Sequence, residues 1–363
     1  MVGLSPSAHR AAKWWSRPDA LAAEVRRGAG QFEEKKYLFG RTLLSMSCDE
    51  SSFSRRFREL FAECAYDQAR DEVIPGLLLQ IHSVRSYPDV LAISLVPSLI
   101  DGVDFVRQLF PARQYVECIE TAPKWRMLAL PAAPGEPVIA FGPSTLLVAR
   151  SHPWRHMVAM YAISNAFRMH PDTLVFHAAS VAINGRGVLL FGDKGAGKTT
   201  LSLCFASRGH AFLGDEWGAV SASNGELLPI RSLSSIRQGP RAKEVDEYLQ
   251  KYPCRTNTLA DGTTRVRAGV GAMFPQASAR IVPLTHAFFL RRFAARPKVE
   301  HFARGGAELL RVSPLLATIC GQPSGRLAIE LLRTLGKARL WNLDVGGSPE
   351  ETADLIEETL KED

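Results

Sequence analysis

Five side chains in this 363-residue sequence have the types and spacing for phosphate chemistry: His177, Lys198, Thr199, Asp215 and Glu216. Lys198 and Thr199 close the stretch Gly192-Asp193-Lys194-Gly195-Ala196-Gly197-Lys198-Thr199. It satisfies the phosphate-loop pattern G-x-x-x-x-G-K-[ST] at every fixed position. Glycines let a backbone curl until successive N–H groups point inward at phosphate oxygens. A helix starting there adds the positive end of its dipole. Residues 192–199, with Thr200 behind them, are therefore predicted to cradle a nucleotide's phosphates. Lys198 would reach the β- and γ-phosphates and the Thr199 hydroxyl would sit on Mg²⁺. Asp215 and Glu216 follow Lys198 by 17 and 18 residues, and His177 precedes it by 21.

The elements that must position these groups can be read from hydrophobic pattern and turn chemistry. The apolar run from Gly187 to Phe191 predicts a buried strand, and Thr200 to Ser207 predicts the helix behind the loop. Leu174 to Ile183 reads as one strand carrying His177, joined to the loop strand by a tight Asn184-Gly185 hairpin. Arg208-Gly209 stops the helix. His210 to Leu213 is a short strand ending in Gly214-Asp215-Glu216-Trp217. Placed next to the loop strand, its carboxylates would hold a magnesium site, with Thr199 and Asp215 as metal ligands. Further strands are expected over Glu226 to Ile230, Leu284 to Phe293 and Ala338 to Leu343. Helices are expected over Ser313 to Cys320 and Gly325 to Leu335. Arg255 to Gly271, rich in Thr, Gly and Arg, reads as a lid. Arg231, Arg237, Arg265 and Arg267 are further candidates for phosphate or substrate contact. The last helix has a clear start: Ser348 as N-cap, Pro349 in the first turn and Glu351 completing a capping box.

Upstream, residues 1–150 read as a smaller α+β domain for recognition or oligomerisation. Ser51 to Cys64 is an amphipathic helix, with Phe53, Phe57, Leu60, Phe61 and Cys64 at three- and four-residue steps. Strands are expected over Tyr37 to Ser47, Val90 to Leu95, Val116 to Ile119, Arg126 to Leu130 and Pro137 to Phe141. Residues 151–363 form the domain that carries the loop, opened by a helix over Pro153 to Met169.

The block Phe176-His177-Ala178-Ala179, Gly187 through Thr199, Arg208-Gly209-His210 and Gly214-Asp215-Glu216 resembles the catalytic core of HPr kinase/phosphorylase and its bacterial relatives. It is also similar to ATP-using phosphoenolpyruvate carboxykinases. The resemblance implies an α/β fold with a P-loop kinase core of the HPr kinase/carboxykinase type. It implies ATP and Mg²⁺ as cofactors, and transfer of the γ-phosphate to a serine-like hydroxyl of a peptide, a protein or a small metabolite. Relatives of this core occur in biosynthetic gene clusters, so a tailoring kinase fits. His177, Lys198, Asp215 and Glu216 become the catalytic set, and the family's habit of assembly implies a homo-oligomer. Where the family has a second aspartate, this chain has Glu216, one methylene longer. The family's second signature segment has no clear match after Glu216, so reverse phosphorolysis and HPr itself as substrate are not carried over. The competing reading is a nucleotide-binding regulatory or scaffold protein without phosphotransfer.

Composition narrows the rest. The chain is 46% hydrophobic and 22% charged, ordinary globular values. It has no apolar run of 18 residues, so no membrane partner is expected. The formal net charge is +7, but the basic residues are dispersed and no nucleic-acid-binding motif accompanies them. Six scattered cysteines without a C-x-x-C argue against zinc and a disulfide framework, and point to reduced thiols in a cytoplasm.

Overall fold

The computed structural model describes residues 14–28, 33–66, 75–118, 124–237, 255–258, 264–302, 329–330 and 333–362. The chain falls into two compact units. Among the described residues, the first comprises those up to Glu59 and from Ala65 to Pro171; the second comprises Leu60–Cys64 and those from Asp172 onward. The helix expected at the start of the second half packs in the first unit, so that unit extends to Pro171 rather than to residue 150.

The first unit is built on one eight-stranded sheet. Its strands are β1 (Lys35–Phe39), β2 (Thr42–Cys48), β3 (Gly76–Ser83), β4 (Val90–Val96), β5 (Val116–Cys118), β6 (Arg126–Ala129), β7 (Pro137–Phe141) and β8 (Thr145–Ala149). They lie in the order β1-β2-β3-β4-β8-β7-β6-β5, and only β2 and β3 run parallel. A parallel pair needs a crossover, and helix α1 (Ser51–Leu60) lies between β2 and β3 in the chain. The stretch expected as one strand over 37–47 is a hairpin, because Gly40 takes φ 60° and turns the chain. Gly102–Leu109 forms helix α2, capped by Asp101. Trp154–Arg168 forms helix α3, where Thr42 donates to the Ala166 carbonyl at 2.7 Å.

The second unit centres on a nine-stranded mixed sheet. Its strands are β9 (Thr173–Phe176), β10 (Ala179–Ile183), β11 (Arg186–Gly192), β12 (Ala211–Gly214), β13 (Gly218–Ser221), β14 (Glu226–Leu228), β18 (Val282–Ala294), β19 (Lys298–His301) and β20 (Arg339–Gly346). One part runs β12-β10-β11-β18-β20-β19 and the other β9-β13-β14-β18. The 13-residue β18 belongs to both: β14 pairs with its first residues, β11 and β20 with the remainder. Strand β11 is apolar on both faces because both are covered. Val188 and Leu190 pack under helices α4 (Lys198–Ser207) and α5 (Pro349–Lys361), with Leu201, Phe205, Ala353 and Ile356. Leu189 and Phe191 face a second core with Leu174, Phe176, Leu213 and Leu340. A continuous apolar run is what a strand buried on two sides requires. The β10–β11 turn forms at Asn184-Gly185, both at positive φ (50° and 82°). Helix α5 carries the capping box of Ser348 and Glu351.

Arg255–Thr258 and Thr264–Ala268, expected as a lid, are strands β16 and β17 of a three-stranded sheet with β15 (Ser234–Arg237). Ile236, Val266 and Ala268 alternate inward, and Ile236 and Ala268 join a core with Leu203 and Ala206 of α4. That alternation turns a Thr/Arg-rich sequence into sheet. The helix expected over 313–320 lies outside the described residues, as does most of the one over 325–335. Among the described residues, no helix is long and apolar enough to cross a membrane.

Candidate functional site

Strand β11 ends at Gly192, and the chain loops through Asp193–Gly197 into α4. The Ala196 N–H donates to the Asp193 carbonyl at 3.0 Å. Gly197 opens the helix at φ 101°, a left-handed conformation that a side chain resists. Asp193, Lys194 and Gly195 are exposed, while Ala196, Thr199 and Thr200 are half-buried. Lys198 turns back under the loop. Its Nζ donates to the Gly192 carbonyl at 2.7 Å and to the Asp193 carbonyl at 3.2 Å, and the residue is 7% exposed. Burial lowers the Lys198 pKa, while the charges of Asp215, Glu216 and Asp193 pull the other way. The ammonium thus occupies carbonyls that a phosphate oxygen would replace.

Strand register brings the other candidates to the same end of the sheet. β10 runs antiparallel to both β11 and β12, so β11 and β12 point the same way. Ala179 pairs with Leu190, and Ser180 with Gly214. The start of β10 therefore lies level with the ends of β11 and β12, where the glycine loop, His177 and Asp215-Glu216 begin. One expectation is corrected. β12 is not beside the loop strand; β10 lies between them, inserted by the Asn184-Gly185 hairpin. A second correction concerns the single strand over 174–183. It is broken by a bend at His177-Ala178 into β9, which pairs with β13, and β10, which pairs with β11 and β12.

Asp215 is 4% exposed. Burial, then the neighbouring Glu216 charge, pushes its carboxyl up to about 7; Thr199, Lys198 and Ser234 oppose this. The Thr199 and Ser234 hydroxyls lie close enough to temper the shift. Neither forms a hydrogen bond to it, however: both Asp215 oxygens are buried without a hydrogen-bond partner. Gly214 makes room for this turn: a methyl there would stand 2.8 Å from the Ile230 carbonyl oxygen and 2.9 Å from that of Trp217. Glu216 is exposed. His177 is half-buried on its bend, and among the described residues no ion pair joins it to Asp215 or Glu216.

An orphaned buried carboxylate next to a threonine hydroxyl fits a hard divalent cation, which takes oxygen ligands. Among the described residues, no group of three or more His, Cys, Asp and Glu converges on one point. Asp215 and Thr199 would therefore hold such an ion with the phosphates themselves supplying the other oxygens, as Mg²⁺ sites commonly do.

Some participants were not read from the sequence. Ser180 and Ser234 hydroxyls are buried without a partner, Ser180 opposite Gly214 and Ser234 close to Asp215. A serine inside the apolar run of β10 was the available signal for the first. Leu60–Cys64 belongs to this unit and was read only as helix. Beyond its helical turn, it lays the Phe61 ring on Trp217 with centroids 6.2 Å apart, and the Glu63 carboxylate lies 2.7 Å from Arg231 Nε. Glu63 also accepts from the Gly271 N–H at 2.7 Å, and Cys64 donates to the Arg231 carbonyl. Arg231, a phosphate-contact candidate, is thus committed to Glu63. Arg265 donates to Ser235 at 3.2 Å; its Cα partners are Arg237 and Asn257, and those of Arg267 are Ser235 and Arg255. Arg208 and His210 serve packing. Arg208 bonds Asp354 at 2.7 Å, Glu357 at 2.8 Å and the Glu350 carbonyl, and His210 lies 3.3 Å from Glu357, all on α5.

Compared with known proteins, the chain is 35% identical over 69 residues to the HPr kinase/phosphorylase of Treponema pallidum subsp. pallidum, equally so in each of two strains of that organism. That segment resembles HPr kinase/phosphorylase. It covers 19% of this chain, and the chain spans about a fifth of the length of these relatives (21%). The structure of the Hpr(Ser) kinase/phosphatase from Coxiella burnetii aligns over 52% of this chain and 88% of its own, at 13% identity and a TM-score of 0.25. No family model matches the chain.

Proposed function

We propose that this chain is an ATP- and Mg²⁺-dependent phosphotransferase with a P-loop core of the HPr kinase type. It would move the γ-phosphate to a serine-like hydroxyl of a peptide, a protein or a small metabolite. One observation carries the reading: a buried carboxylate with both oxygens unpaired stands at the sheet end that bears Lys198 and Thr199. The similarity to HPr kinase/phosphorylase supports it.

Residues 192–200 would bind the phosphate chain, with Lys198 leaving the Gly192 and Asp193 carbonyls for phosphate oxygens. Thr199 and Asp215 would hold Mg²⁺, which when bound neutralises charge on the phosphate oxygens. Glu216, exposed at the rim, meets an acceptor arriving from solvent and takes its hydroxyl proton. The acceptor oxygen then bonds to the γ-phosphorus, the bond from that phosphorus to the bridging oxygen breaks, and ADP leaves. His177, on the bend at the same end, would line the γ-phosphate side. Association into a homo-oligomer belongs to the same proposal.

Incubation with ATP, Mg²⁺ and candidate acceptors, read by mass spectrometry, tests it. A gain of about 80 Da per acceptor, lost in Lys198→Ala, is expected. Tight ATP binding with no acceptor modified would replace the kinase by a nucleotide-responsive scaffold.

A further inference from the structure

The Ser234 hydroxyl is buried without a hydrogen-bond partner, and so are both oxygens of its neighbour Asp215. The two residues are 1% and 4% exposed. Buried polar groups are nearly always bonded, and each exception asks for a reason.

Local structure brings the two together. Side chains two apart on a strand share a face, so Ser234 points the same way from β15 as Ile236. Ile236 packs with Leu203 and Ala206 of α4, and with Ala268, the Cα partner of Ser234 in β17. Thr199 precedes Leu203 by four residues and therefore lies on the same face of α4, one turn nearer the glycine loop. The packing of Ile236 on Leu203 thus sets Ser234 on the side of the helix that carries Thr199, and both hydroxyls lie close to Asp215. The approach to β15 is pinned. The Ile230 N–H donates to the Leu213 carbonyl at 2.7 Å, and the Leu233 N–H donates to the Leu60 carbonyl at 3.0 Å.

An ionised carboxylate only accepts, and one that gives an oxygen to a cation still has a second to satisfy. Carboxylates that bind metal are accordingly hydrogen-bonded themselves. The donors near Asp215 can be weighed in turn. Lys198 Nζ is engaged by the Gly192 and Asp193 carbonyls and is destined for phosphate. The Thr199 hydroxyl would face the ion. Ser180, also unpaired, alternates with Ala179 and Val181, which join the core under α4, so its hydroxyl lies on the opposite face of the sheet. Ser234 remains. Packing alone does not call for a hydroxyl there, since an alanine would fill an inward position beside Ile236 and Ala268 without burying an unpaired polar atom.

We infer that Ser234 positions Asp215 for the cation: its hydroxyl donates to one carboxylate oxygen and leaves the other for the ion. The inference rests on the proposed Mg²⁺ site at Thr199 and Asp215. Isothermal titration with ATP in Mg²⁺, and again with ATP in chelator, tests it. Ser234→Ala should weaken ATP in Mg²⁺ by about 10- to 100-fold, the usual cost of losing a group that orients a metal ligand. It should leave binding in chelator unchanged, and the urea midpoint of the metal-free protein unchanged or higher. An unchanged affinity in Mg²⁺ would overturn the inference, and so would an equal loss with and without the metal, which would mean that Ser234 only shapes the loop. A lowered midpoint would mean that the hydroxyl already serves the fold, and would overturn it too. Wild-type protein whose ATP affinity ignores Mg²⁺ would overturn the cation site itself. Wild-type protein that binds ATP under neither condition would overturn the phosphate-binding reading. The role of Ser234 falls with either.

Discussion

Replacing Asp215 by Asn should change stability with a pH dependence set by its burial. In the metal-free protein its carboxyl is pushed from 3.8 to about 7. The folded state therefore holds a proton that the unfolded state has released between about pH 4 and 7. Stability falls as pH rises through that window, because there the native form binds more protons than the unfolded chain. Three units correspond to about 4 kcal/mol of destabilisation once Asp215 is ionised in both states. Roughly one of those units is already expressed at about pH 5, so the penalty grows by about 3 kcal/mol between about pH 5 and 8. Asparagine carries no charge and escapes it, though its amide, left unpaired, costs about 1–3 kcal/mol at every pH. The difference between Asp215→Asn and wild type should thus move by about 3 kcal/mol in favour of the variant from pH 5 to pH 8. Urea denaturation of both proteins in chelator, at the two pH values, measures this double difference and cancels the amide cost. A difference that stays flat would show that Asp215 is solvated or paired, and the argument for a cation site would go with it. Added Mg²⁺ and ATP should stabilise wild type more than the variant, which lacks a metal ligand.

Three further outcomes follow from the same geometry. Glu216→Gln should keep ATP binding and cut phosphoryl transfer on the order of 10²-fold, read by acceptor mass spectrometry; an unchanged rate would move the base to another group. Lys198→Ala should abolish measurable ATP binding in calorimetry. Arg208→Ala should lower stability by about 1–2 kcal/mol, seen as an earlier denaturation midpoint, since it loses Asp354, Glu357 and the Glu350 carbonyl together.

Local chemistry was legible where it is local. The glycine loop, the Asn184-Gly185 turn and the Ser348 capping box are each specified within a few residues, and each forms as expected. The partition of Asp215 and Glu216 was not legible. Adjacent residues of one charge read alike in sequence, and only the packing around Gly214 buries one and exposes the other. Strand order was also hidden. The hairpin that inserts β10 between β11 and β12 was read correctly, but its neighbour on the far side depends on pairings between distant segments. The Arg/Thr-rich segment 255–271 read as a lid because its apolar positions are few, although Val266 and Ala268 alternate as a strand buried on one face requires. Ser234 beside Asp215 gave little signal, since a hydroxyl's value lies in what it faces.

Leu60–Cys64 reaches the second unit from a distant part of the chain, laying Phe61 on Trp217 and Glu63 on Arg231. The two units are therefore interleaved along the gene. A recombination joint at Pro171 would deliver the loop-bearing half without five residues of its own body. It would leave Arg231 without its counter-charge and bare the tryptophan next to Glu216. Shuffling of whole domains is thereby discouraged: this half is inherited with its companion or must replace the missing piece.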